Sequence, residues 1–316
     1  MKKIFSLIIL SFIIFSSCSD DDNVIVNVNP VNGKETSELT VRLSSNNITT
    51  KSVGYGDNGY IETKIINSVI ATFFKDGSIN VIKNATFSEG QETKLTFSLR
   101  PGDLNLYVIA NVDISLFSKV STEEQFKEVL LSLNQSTIPL SGKSSITIEA
   151  NKTLSHTIYL ERVVTKVSLA SVDINQLATN GYANSTFKID RVFLHNVNTK
   201  STIDYKGSEK KSGLSEPTLL NYEEDFFGYY DRHYFYGFEG TLKLVIGGWF
   251  KDGDRAPEYV YYPLDIDAKH NTHYDISAVI KTKGVKTPDD KLENGILDLT
   301  IKVVDWTVED INHVFE

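Results

Sequence analysis

Thr241-Leu242-Lys243-Leu244-Val245-Ile246-Gly247-Gly248-Trp249-Phe250 is followed by Lys251-Asp252-Gly253-Asp254 and then by Glu258-Tyr259-Val260-Tyr261-Tyr262-Pro263-Leu264. Both apolar runs are rich in β-branched and aromatic residues, which suit a pleated, half-buried surface. The Asp-Gly between them tolerates the positive φ of a tight turn, so the stretch predicts a hairpin with a longer loop. Working outward, the pattern recurs on both sides. Leu39, Val41 and Leu43 alternate with Thr40 and Arg42, as in a half-buried strand over 38–44. A strand over 68–74 leads into a second Asp-Gly turn at Lys75-Asp76-Gly77-Ser78, and strands follow at 79–82, 94–99, 104–110, 145–149 and 154–160. The pattern restarts at Glu161-Arg162-Val163-Val164-Thr165-Lys166-Val167-Ser168-Leu169 and continues through 186–194, 273–281 and 296–305. Ser121 and Glu124 have the spacing of a capping box, and behind them Phe126, Val129, Leu130 and Leu133 share one helical face.

Many short strands separated by turns predict a mainly β chain of two β-sandwich domains, with a short helix in the first. The predicted domains are 38–156 and 157–316, divided near residue 157. Residues 45–60 have little apolar content and several glycines, which predicts an exposed loop after the first strand. Residues 19–37, polar with Pro30 and Gly33, predict a flexible tether.

The first 18 residues carry a different message. Lys2 and Lys3 precede the apolar run Ile4–Phe15, then the small Ser16 and Ser17, then Cys18. Such a run is short for a membrane span and ends as a secretory signal ends. Cys18 is the single cysteine of the chain, so it has no disulfide partner, and its place fits lipidation after export. Ser19-Asp20-Asp21-Asp22 then resembles the surface-export signal of lipoproteins in the Bacteroidota. The predicted route leads to the outer membrane by way of a lipid such as palmitate.

Composition excludes several partners. The formal net charge is −9 across 316 residues, which argues against nucleic acid and against an anionic lipid surface. No cofactor is implied, and no constellation supports an enzyme. Gly54-Tyr55-Gly56-Asp57-Asn58-Gly59 has the letters of a dinucleotide fingerprint but neither the strand before it nor the capped helix after it. His270 and His273 sit in a strand-like context, where odd spacing sends rings to opposite faces, so they predict structural histidines and no metal. Asp252 and Asp254 lack the closing glutamate of a calcium loop. Phe226–Phe238 is dense in aromatic residues, which suits strands and a sandwich core better than a stacking platform.

Several segments, taken in order, resemble the fimbrillins, the major pilins of type V pili in the Bacteroidota. The lipoprotein signal ending at Cys18 comes first, then the strand Leu39–Leu43 and a polar loop. Val69–Gly77 is similar to the family's early strand and turn. Leu160–Val167 is similar to its Arg-x-x-Ala-Lys/Arg element, with Thr165 in place of the usual Ala. Tyr234–Glu239 resembles its aromatic strand ending in Glu, and Lys269–Ile276 its Arg-Asn-x-x-Tyr-x-Ile element, with His270 in place of Arg. Leu297–Trp306 resembles the closing strand.

The resemblance implies a transthyretin-like pair of sandwiches and a subunit that polymerises into surface fimbriae serving adhesion and biofilm. Its partners would be other copies of itself, accessory fimbrial subunits and a maturation protease. It implies proteolysis in the loop after the first strand, here between Lys51 and Ser52, although the family protease cuts at Arg. Loss of Leu39, Val41 and Leu43 would open a groove, and the tail of a neighbour, about 307–316, would fill it. The donor residues would be Val308, Ile311, His313 and Phe315. Two alternatives stay open: an accessory, anchor or tip subunit that keeps its lipid, or a surface glycan-binding lipoprotein with Tyr229, Tyr234 and Trp249 as stacking rings.

Overall fold

The computed structural model describes residues 24–27, 36–45, 65–88, 92–133, 137–210, 233–293 and 296–305. The chain is mainly β. Its first half contains β1 (Val24–Asn27), β2 (Ser37–Ser45), β3 (Asn67–Phe74), β4 (Ile79–Thr86), β5 (Lys94–Leu99) and β6 (Gly102–Ala110). After helix α1 (Glu123–Lys127) come β7 (Leu131–Ser132), β8 (Leu140–Ile148) and β9 (Thr153–Arg162). The second half contains β10 (Val164–Asp173), β11 (Ser185–His195), β12 (Asn198–Ser201), β13 (Gly207–Lys210) and β14 (His233–Phe238). It ends with β15 (Gly240–Asp252), β16 (Glu258–Ala268), β17 (Thr272–Ile280) and β18 (Leu297–Asp305).

Eight strands of the first half join in the order β1-β4-β3-β6-β8-β9-β2-β5. This path folds over on itself at β9. Only Leu140 and Ser141 of β8 pair with the end of β9, whereas Glu38–Ser45 of β2 run parallel to Thr153–Leu160. Gly142 sits at the fold-over, where a Cβ would meet the Tyr159 carbonyl oxygen at 2.6 Å. The two layers enclose Leu39, Val41, Leu43, Ile70, Leu104, Leu106, Phe97 and Ile158. Both Asp-Gly turns form as the sequence predicts, with Gly77 at φ 81° and Gly253 at φ 55°.

The second half packs two sheets. One runs β13-β12-β14-β10-β17-β18, and the other is β11-β15-β16. Alternate residues of β10 point in opposite directions, as strand geometry requires. Val167 and Leu169 face Leu242, Leu244, Ile246, Tyr262 and Leu264 inside this sandwich. Val164 faces outward with Tyr236 and Phe238 and joins Val69, Phe73, Tyr107, Ile109 and Phe126 of the first half. One apolar cluster therefore cements the two halves together.

Four expectations need correction. The division predicted near 157 falls inside β9, which continues to Arg162; the sheet changes at Val163, because β9 is held by β2 and β10 by β14 and β17. The stretch 19–37 is not all tether, since Val24–Asn27 pairs antiparallel with β4. The helix cap is shifted by one residue: Thr122 caps α1, its Oγ1 accepting from the Gln125 amide at 3.2 Å, and the Gln125 side chain accepts from the Ser121 amide and hydroxyl. The helix also stops after five residues, because Leu131 and Ser132 turn away to pair with β12.

Helix α1 is fastened to the sheet beneath it. Glu123 is 7% exposed. Its carboxylate accepts from the Tyr107 hydroxyl at 2.6 Å and from Asn105, and pairs with Lys127 at 2.6 Å. Burial pushes this carboxyl up, but the Lys127, Tyr107 and Asn105 hydrogen bonds outweigh it and hold Glu123 below its ordinary value. Phe126, fully buried, packs 5.4 Å from Phe73, 5.7 Å from Tyr107 and 5.0 Å from Phe117, ring centre to ring centre.

Phe126→Ala should lower unfolding stability by about 3–5 kcal/mol, the usual effect of emptying a large core site, measured by urea denaturation. The Glu123 carboxylate favours the folded state at pH values above the unfolded glutamate pKa, and that contribution is lost as the carboxyl protonates. The stability gap between the parent chain and Glu123→Gln should thus be full at pH 7 and shrink steadily below about pH 4. A gap that stays constant across that range would refute the assignment.

Candidate functional site

β2 lies in an unusual place for a segment so early in the sequence. β2 is interior to its layer, parallel to β9 on one side and antiparallel to β5 on the other. Leu39 and Val41 are 0% exposed and Leu43 is 6% exposed. Leu39 stands beside Leu154 and Phe97, Val41 beside His156 and Leu95, and Leu43 beside Ile158. The opposite face of the strand is wet: Thr40 and Thr96 share a 2.8 Å hydrogen bond, and Arg42 lies 3.4 Å from Glu92. The ends are pinned as well. The Ser37 hydroxyl donates to the Glu149 carbonyl at 2.7 Å, and Thr93 bonds Leu43 through both its hydroxyl and its carbonyl.

β5 depends on this arrangement. Among the described residues its sole sheet neighbour is β2. Without β2, Leu95, Phe97 and Leu99 would be held by side-chain packing alone, and the facing edges of β5 and β9 would carry unpaired amides and carbonyls. Such a row is costly in water and templates the addition of another strand.

The motif segments of the second half converge on one junction. The Asn271 amide donates to the Val164 carbonyl at 2.8 Å, and its side chain accepts from the Arg162 amide at 3.4 Å. Glu239 pairs with His270, whose ring stacks on Tyr205 at 3.4 Å and an interplanar angle of 5°. Burial pushes Glu239 up, but the His270 ring and amide hold it below its ordinary value. Thr165 donates to the Thr272 carbonyl at 3.1 Å. These groups lock the turn between β16 and β17 to the start of β10, so their work is structural.

The other sequence candidates resolve as follows. His270 sits in that turn rather than on a strand, and His273 on β17 shares a 2.9 Å hydrogen bond with Ser168. Ser168 also donates to Asp275 at 2.6 Å. That carboxylate therefore holds the serine proton. Among the described residues no group of three or more His, Cys, Asp or Glu could hold a metal. Asp252 accepts from Ser185 at 2.9 Å and pairs with Arg255 at 3.2 Å, so it serves the turn. Phe235, Tyr236 and Phe238 are buried at 5%, 6% and 0% exposure, as a sandwich core requires. Trp249 is 47% exposed.

Cys18, Lys51, Ser52, Gly54–Gly59, Tyr229, Val308, Ile311, His313 and Phe315 lie outside the described residues, as does the side chain of Tyr234. Among the described residues no helix is long and apolar enough to cross a membrane. Two features escaped the sequence altogether. The dependence of β5 on β2 is a matter of topology, which residue periodicity does not record. The pairing of β1 has only Val24-Ile25-Val26 to signal it, a run too short to stand out.

Comparison with known proteins bears on this architecture. Residues 37–187, just under half of the chain, match the family model described as major fimbrial subunit protein (FimA). Among curated proteins none matches by sequence. Of solved structures, a fimbrilin from Porphyromonas gingivalis is similar over 86% of this chain and 98% of its own, with 18% identity and a TM-score of 0.62. A protein named for cell adhesion from Bacteroides eggerthii is similar over 86% and 97%, with 16% identity and a TM-score of 0.65. Another so named, from Parabacteroides distasonis, is similar over 86% and 99%, with 15% identity and a TM-score of 0.61. At these identities the likeness is one of fold, and it extends over nearly the whole of each neighbour. The family match begins at the first residue of β2 and runs through the first sandwich into β11. Residues 37–187 are thus similar to the major fimbrial subunit family, and the fold of the whole chain is similar to that of the fimbrilin.

Proposed function

We propose that this chain is the main structural subunit of surface fimbriae, made as a lipoprotein on Cys18, activated by cleavage between Lys51 and Ser52, and polymerised by strand exchange. The observation that carries this reading is the interior position of β2. Cleavage after Lys51 would release β1 and β2 together, since both precede the cut. Losing β1 exposes the edge of β4, whereas losing β2 opens the middle of a layer.

The magnitudes favour prompt refilling. Burial of Leu39, Val41 and Leu43 contributes about 1.5–3 kcal/mol each. Their loss, roughly 5–9 kcal/mol in all, rivals the whole stability of a typical domain, about 5–15 kcal/mol. An open groove therefore stays intact only if another strand arrives. A donor must bring apolar residues at alternate positions and backbone groups for both β5 and β9. In the tail, Ile311, His313 and Phe315 repeat the spacing of Leu39, Val41 and Leu43, and Val308 lies in the other phase. β18 leads the chain toward that tail along the edge of its sheet, with Ile301 and Val303 41% and 61% exposed. Donation from one subunit to the next is head-to-tail and does not close, so it builds a filament.

Sequencing the amino terminus of the surface form tests the activation step. A polymerising subunit should begin at Ser52; a blocked Cys18 would instead identify an anchor that keeps its lipid. A chain ending at Trp306 should fold to the parent's stability yet form no filaments by electron microscopy. Filaments of normal length from that chain would exclude the tail as donor.

A further inference from the structure

The outer face of the β11-β15-β16 sheet is closed at one end and open at the other. At the closed end Phe193, His195 and Val245 are 2%, 2% and 0% exposed. The chain after β17 is fastened there: Asp289 meets His195 at 2.9 Å, and Lys243 donates to the Pro288 and Asp289 carbonyls at 3.2 and 3.3 Å. At the open end stands Trp249, with Tyr259 at 5.1 Å and 86° to it, and Tyr261 at 5.2 Å from Tyr259.

Two charges are placed among these rings by a local irregularity. The register between β11 and β15 shifts between Ile189 and Arg191, leaving Asp190 as the extra residue of a bulge. Neighbours on a regular strand face opposite ways, but a bulge re-aims one of them. Here both reach the same hydroxyl: Arg191 Nε donates to Tyr259 Oη at 3.1 Å, and Tyr259 Oη donates to Asp190 Oδ2 at 2.8 Å. Arg191 Nη2 also donates to Tyr261 Oη at 3.4 Å. Gly247 pairs with both Arg191 and Tyr261, and a Cβ there would come within 3.0 Å of the Tyr259 hydroxyl. The missing side chain lets the tyrosines lean across β15. Among the described residues no hydrogen bond uses Arg191 Nη1 or Asp190 Oδ1, so one donor and one acceptor remain on the two groups that meet at the Tyr259 hydroxyl.

The geometry points to a carbohydrate-binding site formed by Trp249, Tyr259, Tyr261, Arg191 and Asp190, for a pyranose unit of a glycan. A pyranose has an apolar C–H face and a rim of hydroxyls that both donate and accept. The face stacks on Trp249, and two adjacent hydroxyls meet Arg191 Nη1 and Asp190 Oδ1. A purely apolar partner would bury that guanidinium and carboxylate without new hydrogen bonds, a costly exchange. A phosphate polymer would meet a chain of net charge −9. The site uses no residue of β2 or the tail and does not rest on strand exchange.

Affinity electrophoresis of the purified chain through gels containing dextran, arabinoxylan or yeast mannan tests it. At least one polysaccharide should retard the protein. Trp249→Ala should weaken that binding at least tenfold, and Arg191→Lys, which keeps the charge but loses the fork, severalfold. Lys119→Ala, at an exposed position of the first half, should leave it unchanged. Circular dichroism and the unfolding midpoint of the Trp249→Ala chain should match the parent, because the ring is exposed. Retardation by none of the three, or retardation that survives Trp249→Ala, would overturn the inference. Sugar-free dimerisation that is lost in Trp249→Ala would also overturn it, by giving the face to a second copy of the chain.

Discussion

The backbone ladder that β2 shares with β9 and β5 is the interaction on which the first sandwich depends. A strand with two partners contributes twice the hydrogen bonds of an edge strand and covers the core beneath it. In this chain that strand lies near the amino terminus, joined to the rest by the long stretch between Ser45 and Asn67. The most necessary strand is thus also the one most easily separated from its domain by a single break in the chain.

The same economy of placement holds at the junction. Val163 alone separates β9 from β10. Val164, Tyr236 and Phe238 of the second half and Val69, Phe73 and Phe126 of the first share one buried cluster. The polar groups around it, Asn271, His270, Glu239 and Tyr205, fix the turn that feeds β17 into the sheet beside β10. Each half has its own core, yet neither presents a free face at the boundary. The short helix belongs to this seam, since Phe126 fills the space between the sheet of the first half and the strands of the second.

Much of this was legible in the residues. Every long strand was marked by alternation or by a dense apolar run, and both Asp-Gly turns fell where glycine accommodates positive φ. Periodicity records which face of an element is buried but not its neighbours, so the interior position of β2 was invisible. The helix was overestimated for a related reason: Val129 and Leu133 fit a helical face, but Leu131 had a strand partner seventy residues away in sequence. The capping residue moved from Ser121 to Thr122 because Glu123 is drawn down to Tyr107 and Lys127, a tertiary contact no local motif encodes. The cluster around Trp249 was half legible. Trp249 stood out as a candidate ring, whereas Tyr259 and Tyr261 did not, and the bulge that sets Asp190 beside Arg191 has no signature in composition.

The single-residue passage at Val163 has a mechanical consequence. When a multidomain chain is pulled along its length, the load usually falls on flexible linkers that stretch first. Here tension entering β9 passes directly into β10. β10 has a parallel neighbour in β17, which resists by shear across several hydrogen bonds at once rather than by opening one bond at a time. The chain should behave under force as one stiff body, with little extension before a sheet gives way.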